Sequence, residues 1–259
     1  MPYDFALEPL TLLVLAAVAF LAGFIDAIAG GGGLLTVPAL LLAGVPPHLV
    51  LGTNKLSSTF GSATAAYTFY RKKLFAPIKW KHALSATALG AAIGAVGAHY
   101  LPAHWLDRLL PLAVFGCGIY LLFGRLPDAP LDADAPILQK RQWPQGLGLG
   151  FYDGLIGPGT GAFWTISTLI LYRIDLVRAS GVARTMNFVS NGVALAVFIC
   201  LGQVIWMLGL TMGISLMFGA YLGAHTAIAG GAKFIRPLFI LVVLALTARL
   251  VWQHWFGHA

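Results

Sequence analysis

Gly23-Phe-Ile-Asp-Ala-Ile-Ala-Gly-Gly-Gly-Gly33 interrupts a long apolar run with an acid, Asp26, and four consecutive glycines; apolar sequence then resumes as Leu34-Leu-Thr-Val-Pro38. Glycine lets a helix end and lets backbone approach another group closely. A second copy stands downstream as Gly150-Phe-Tyr-Asp-Gly-Leu-Ile-Gly-Pro-Gly-Thr-Gly161. Two broken helices, each carrying an acid, predict a transport site shared between two halves of one chain.

The surrounding sequence is that of a membrane protein. Of 259 residues, 59% are hydrophobic and 10% charged, with a mean hydropathy of +0.84, against roughly 25% charged in a soluble domain. Between Thr185 and Ala232 there is no Asp, Glu, Lys or Arg. The fold class expected is an all-α polytopic membrane protein. The acidic start, with Asp4 and Glu8, lacks the basic region of a cleavable signal, so the first apolar run reads as a retained membrane segment. Cys117 and Cys200 lie in apolar runs and read as lipid-buried small hydrophobes. A net charge of +7 invites a nucleic-acid partner, but the basic residues sit in short connections, where membrane topology explains them.

Apolar runs fall at 9–29, 34–44, 49–70, 83–101 and 106–124, then at 146–157, 161–172, 179–201, 207–229 and 235–253. The runs 34–44, 146–157 and 161–172 are too short to span alone. The Pro- and Asp-rich stretch 125–145 is the linker, dividing a first transmembrane repeat (1–124) from a second (146–259). Asp26 matches Asp153, Lys55 matches Arg184, Gly97-Ala-His99 matches Gly223-Ala-His225 and Pro111 matches Pro237, all at an offset of about 126–129 residues, which marks a duplicated unit. Lys and Arg concentrate in 71–81 (Arg71, Lys72, Lys73, Lys79, Lys81), in the linker and in the turn with Arg173 and Arg178, whereas 45–48 and 202–206 hold none. Placing the rich connections in the cytoplasm puts corresponding loops on opposite sides. The halves are therefore expected to be inverted repeats, each a glycine-broken pair, spanning or re-entrant, followed by three spans. Both termini are expected outside and the linker in the cytoplasm.

Once the Lys and Arg near the run ends, Arg108, Arg236 and Arg249 among them, are assigned to the connections, the charges left deep inside apolar runs are Lys55, Arg184, Asp26 and Asp153. Each costs about 2.5–3.5 kcal/mol on insertion scales, so an idle one is unexpected. Ser58 and Ser62 follow Lys55 on one helix face, as Asn187 and Asn191 follow Arg184. A cation heading a polar stripe in each half predicts an anion site, with the helix starts after the glycine runs adding free backbone N–H groups. The expected substrate-binding residues are Lys55, Arg184, Asn54, Asn187, Asn191, Ser58, Gly31, Gly32, Gly159 and Thr160, with Asp26 and Asp153 in coupling or charge pairing. Structural ion pairs, Lys55 with Asp26 and Arg184 with Asp153, are the competing reading.

The remaining candidates carry less. His99 and His225 stand near segment ends and read as interfacial or packing residues; Trp80, Trp105, Trp206, Trp252 and Trp255 read as an aromatic belt. Gly90/Gly94 and Gly219/Gly223 have the small-xxx-small spacing of close helix contacts. There is no Cys/His cluster with metal spacing, no nucleophile elbow and no Walker-type loop, so neither an enzyme nor a cofactor or metal is expected.

On the glycine-broken motifs, together with Gly52-Thr-Asn-Lys-Leu56 and Arg184-Thr-Met-Asn187, the chain resembles the TauE/SafE family of sulfite-exporter-like permeases. The resemblance implies transport of a small sulfur anion, such as sulfite, sulfoacetate or another organosulfonate, across a bacterial inner membrane. At the position of Arg184 a Lys is also usual in proteins of this family; Arg offers a planar fork suited to an oxyanion. The expectation is thus a secondary permease with a midplane site and alternating access. An anion-selective channel or a small-carboxylate permease is the alternative. A proton or sodium ion is the candidate coupling ion, the bilayer is the other partner, and a homo-oligomer is compatible with the sequence.

Overall fold

A computed structural model describes residues 8–123 and 139–230, and every regular element among them is helical. In chain order these are α1 (Pro9–Ala29), α2 (Gly33–Leu42), α3 (Pro47–Arg71), a 3-10 turn at Pro77–Trp80, α4 (Lys81–Tyr100), α5 (Ala103–Phe123), α6 (Gln139–Leu155), α7 (Thr160–Tyr172), α8 (Leu176–Cys200) and α9 (Trp206–Ile228). Nine of the expected apolar runs reappear as helices, with most ends shifted by no more than a turn. The tenth run, 235–253, lies outside the described residues. One boundary is corrected: α6 begins at Gln139, inside the stretch expected to be linker. Its first turns are polar but not free. Gln142 is buried, accepting from the Ala83 N–H (3.0 Å) and donating to the Lys79 carbonyl (2.8 Å).

By length and composition, α1, the 3-10 turn with α4 (Pro77–Tyr100), α8 and α9 are long and apolar enough to cross a membrane. Their outward faces agree. Leu210, Ile214, Phe218 and Leu222 recur every fourth residue along α9 and are exposed, an apolar stripe of the kind that a lipid phase covers favourably. With 25 residues α3 is as long as α8, but its polar stripe lowers its mean hydropathy.

In order of contact six of the helices form a row, α1, α9, α3, α8, α4, α6. Exchanging each for its counterpart in the other half gives the same row read backwards. Glycines set the close approaches. A Cβ on Gly219 would lie 1.9 Å from the Phe20 carbonyl oxygen, and one on Gly90 would lie 2.4 Å from that of Leu147. The contacts also fix direction. Gly219 and Gly223 meet Phe20 and Phe24, so α1 and α9 are parallel; Gly146, Gly150 and Gly154 meet Ala83, Thr87 and Ala91, so α6 and α4 are parallel. Gly209 meets Leu56 and Gly213 meets Phe60, so α3 runs parallel to α9. By contrast α3 and α8 are antiparallel, since Gly52 meets Phe198 while Gly181 meets Phe69. Because α1 and α3 both run parallel to α9, α2 must carry the chain back toward the end it came from.

The same packing sorts the connections. Arg141 donates to the Leu171 carbonyl (2.8 Å), and Gly181 abuts Leu74. These contacts gather Lys72, Lys73, Lys79, Lys140, Arg141, Arg173 and Arg178 at one end of the bundle. The opposite end holds 45–48 and 202–206, joined by the Ile205 N–H donating to Thr53 Oγ1 (3.0 Å). Trp80 departs from the belt expected for it. It is buried and packs edge-on against Tyr172, with centroids 4.8 Å apart. Trp105 and Trp206 are exposed.

Gly219→Ala is expected to lower stability by about 1–3 kcal/mol, the range for forcing extra volume into a packed contact. Gly192→Ala, whose Cβ would meet nothing within 4 Å, is expected to be neutral or slightly stabilising. Thermal unfolding of both variants in detergent checks the contrast.

Candidate functional site

The two glycine breaks meet face to face. Ala162 N–H, in the first turn of α7, donates to the Gly30 carbonyl across the break (3.0 Å), and Gly33 abuts Pro158. Positive φ angles at Gly30 (+87°), Gly157 (+96°) and Gly159 (+83°) require glycine. Each break abuts α3 or α8, Gly33 and Gly157 lying beside Asn54 and Lys55 and Gly30 beside Arg184, and there the charges of the apolar runs collect.

The charges pair across the halves, not within them. Lys55 Nζ lies 2.7 Å from Asp153 Oδ1 and also donates to Asn191 Oδ1 (3.0 Å). Arg184 Nη1 lies 3.3 Å from Asp26 Oδ2 and donates to the Asp26 backbone carbonyl. The pairs Lys55–Asp26 and Arg184–Asp153 expected within each half are thus replaced by crossed ones. The physical reason is that α3 and α8 run antiparallel between the two breaks, which brings each cation to the opposite hairpin. Three of the four are almost sealed from the surface, Lys55 at 1%, Arg184 at 0% and Asp153 at 3% exposed, while the Asp26 side chain keeps 16%.

The acids also hold the breaks. Asp26 Oδ1 accepts the Gly32 N–H (2.9 Å) at the start of α2, satisfying a backbone donor that has no helical partner. Asp153 accepts from the Thr160 hydroxyl (3.2 Å) at the start of α7 and from Ser190. Thr36 donates to Asn54 Oδ1 (2.6 Å), tying α2 to α3 beside the lysine.

Between the breaks is a small cavity, of about 30 Å³, lined by Asp26, Asn54, Lys55, Ser58, Asp153, Thr160, Asn187 and Asn191. Glycines 30, 32, 33, 157, 159 and 161, with Leu216, complete the wall. Of the residues expected to bind substrate, all but Gly31 and Arg184 line it. Arg184 sits one layer behind. Its Nη2 is 2.8 Å from where a Gly30 Cβ would stand, and its Nη1 is 2.9 Å from a Gly161 Cβ. The missing side chains let the two breaks pack directly against the guanidinium, which is fully buried. Its Nε and Nη2 are buried and have no hydrogen-bond partner among the described residues, as is Asn187 Oδ1.

Ser190 escaped the sequence reading, although it stands one residue before Asn191 and points to the same acid as Lys55. His99 and His225 lie away from the cavity. His99 bonds the Gln203 side chain (3.1 Å), and His225 Nδ1 is 2.8 Å from the Tyr221 carbonyl oxygen. Among the described residues no group of His, Cys, Asp and Glu could hold a metal ion.

A family model described as Sulfite exporter TauE/SafE matches residues 15–250. The chain belongs to the TauE/SafE family. Similar TauE/SafE-type chains include a "probable membrane transporter protein ORF9" of a Sinorhizobium species, 38% identical over 98% of this chain and 99% of that one. Another is the "probable membrane transporter protein YfcA" of Escherichia coli K12, 37% identical over 98% and 97%. A "probable membrane transporter protein" of Haemophilus influenzae is 37% identical over 95% and 96%. No solved structure matches the chain. The protein is accordingly a membrane transporter of the TauE/SafE family, at home in a bacterial inner membrane.

Proposed function

We propose that this transporter is a secondary carrier for a small anion, a sulfur oxyanion or organosulfonate in class, bound between the two glycine breaks. The observation that carries the reading is Arg184, whose Nε and Nη2 are fully buried without acceptors beside a glycine-walled cavity. A buried charged donor left unmatched costs several kcal/mol by order of magnitude, and an oxyanion is the ligand that satisfies it bidentately. Lys55 supplies the second positive charge from the opposite half. Asn54, Asn187, Asn191, Ser58 and Thr160 supply neutral hydrogen bonds, and Gly31, Gly32 and Gly159 bring backbone to the substrate.

Inverted repeats are supported by the antiparallel run of the counterparts α3 and α8, and by the helix row that reads the same in both directions. Each break then forms a helical hairpin that returns to its own side, and moving one hairpin set against the other exposes the cavity alternately. The gathering of Lys and Arg at one end supports placing that end, with the 125–145 linker, in the cytoplasm. The start of α1 then faces outward.

The test is ligand-induced stabilisation of the purified protein by sulfite, thiosulfate, sulfoacetate, taurine and small carboxylates. At least one sulfur anion is expected to raise the unfolding midpoint, with saturating uptake and counterflow in liposomes. Stabilisation by carboxylates alone would overturn the substrate class. Single-channel conductance would overturn the carrier.

A further inference from the structure

The two acids of the site are held by different kinds of donor, and the difference assigns them different work. We propose that Asp153 carries the coupling proton, one per substrate anion, while Asp26 stays ionised as a structural cap. This rests on the anion reading above.

The site as it stands is electrically balanced: Lys55 and Arg184 against Asp26 and Asp153. Lys55 Nζ is already committed to Asp153 and Asn191. A monoanion entering this cavity leaves it with an uncompensated negative charge at a depth where charge is expensive. Balance returns if one carboxylate takes up a proton as the anion arrives.

Asp26 is badly placed to be that carboxylate. Its Oδ1 accepts from a backbone N–H, Gly32, which cannot turn away, and its Oδ2 faces the guanidinium of Arg184. Arg keeps its charge at every working pH. Both partners are donors only, so a protonated Asp26 would have no acceptor among them.

Asp153 is placed differently. Its Oδ2 meets the Ser190 hydroxyl, whose Oγ also lies 3.0 Å from the Met186 carbonyl oxygen and 3.2 Å from that of Asn187. Its Oδ1 meets the Thr160 hydroxyl, which lies 2.6 Å from the Gly157 carbonyl oxygen. Each hydroxyl can therefore turn to a standing backbone acceptor. A proton arriving on Asp153 Oδ2 is then donated to Ser190 Oγ, while the Ser190 hydrogen turns to Met186. The carboxylate becomes a neutral acid and no polar atom is orphaned. The Lys55 ammonium keeps Asn191 and is freed to face the anion. Charge balances throughout, because one proton and one anionic charge enter together.

The other groups around Asp153 do not compete for that proton. Lys55 from α3 is its charged partner, and Asp26 on α1 and Arg184 on α8 form the second pair across the cavity. Packed against α6 at this level, α4 brings Thr87, Ala91 and Ala95, none ionisable. From α7 comes only Thr160. The first half lacks the device altogether. At the repeat offset of about 129 residues, the counterpart of Ser190 is Gly61, where a Cβ would lie 1.8 Å from Leu216 Cδ2. No hydroxyl stands there, and the Leu216 side chain fills the place.

The experiment measures the affinity of wild type, Asp153→Asn and Asp26→Asn for a simple alkanesulfonate, which is a monoanion, and for sulfoacetate across neutral to alkaline pH. Proton uptake on binding is measured in parallel in buffers of different ionisation heat. Sulfonates keep their charge over this range, so any pH dependence belongs to the protein. Wild-type affinity is expected to fall about tenfold per pH unit wherever binding takes up one proton per monoanion. In Asp153→Asn the amide offers Lys55 an oxygen and Ser190 a donor, as the protonated acid does, and affinity is expected to be independent of pH. Asp26→Asn is expected to bind more weakly yet keep the tenfold step. A wild-type affinity that is flat with pH, or binding without proton uptake, overturns the assignment even if no variant folds. So does a step that survives in Asp153→Asn or vanishes in Asp26→Asn. Failure of every anion to bind wild type at any pH overturns the anion reading itself.

Discussion

Lys55→Ala is expected to abolish anion binding and to destabilise the folded protein by about 3–5 kcal/mol, the cost of leaving a buried charge without its partner. The stranded charge is Asp153, which would keep only the Ser190 and Thr160 hydroxyls. The double variant Lys55→Ala/Asp153→Ala removes both charges and is expected to recover most of the lost stability, yet none of the binding. Because the pairs are crossed, Lys55→Ala/Asp26→Ala is expected to recover nothing, since it strands Asp153 and Arg184 together. Unfolding midpoints and binding of the sulfur-anion panel, measured on all three, separate the two contributions. Rescue of stability by the Asp26 partner in place of the Asp153 partner would contradict the crossed geometry. Rescue of binding along with stability would show that Lys55 serves only to neutralise Asp153.

How much of this could be read without coordinates depends on what each feature costs in a membrane. Lys55, Arg184, Asp26 and Asp153 were legible because a charge in an apolar run is expensive enough to demand a reason. The helix runs were legible because hydropathy and length nearly determine them. α3 needed its face periodicity instead, since Lys55, Ser58 and Ser62 lower its average without exposing it to lipid. The crossed pairing was not legible. A duplicated sequence names two cations and two acids but does not say which half donates to which, and only the antiparallel run of α3 against α8 decides it. The start of α6 was hidden for a related reason. Gln142 looks like linker by composition, and it becomes core only because Lys79 and Ala83 offer it backbone partners from a different part of the chain. Trp80 was misplaced in the same way, since Tyr172 from the other half covers it.

Gly30→Ala is expected to be far more damaging than Gly44→Ala, and the contrast measures why. Both positions have positive φ, +87° and +80°, so an added Cβ strains the backbone at each by about 1–2 kcal/mol. At Gly44 the Cβ meets nothing within 4 Å, so strain is the whole cost. At Gly30 it would fall 2.3 Å from the Ala162 nitrogen, 2.4 Å from the Gly161 carbonyl carbon and 2.8 Å from Arg184 Nη2. Two of these are backbone, so the breaks themselves must separate and the Ala162 N–H to Gly30 carbonyl bond is lost. The Gly44 variant is expected to fold and bind anion with near wild-type affinity; the Gly30 variant is expected to yield little folded protein. Gly161→Ala supplies the functional half of the comparison, because its φ is not positive and so adds no left-handed strain. Its Cβ would lie 2.7 Å from Asn187 Nδ2, 2.8 Å from Gly30 Cα and 2.9 Å from Arg184 Nη1. Only the Gly30 contact is backbone, and the other two are side-chain ends that can yield. The predicted result is folded protein with anion affinity lowered about tenfold or more, the loss of one charge-assisted hydrogen bond of about 1.5–3 kcal/mol. If Gly30→Ala matched Gly44→Ala in stability and binding, the glycines would serve only the turn. Loss confined to Gly30→Ala and Gly161→Ala would instead show that the breaks are kept bare so that Arg184 can be reached.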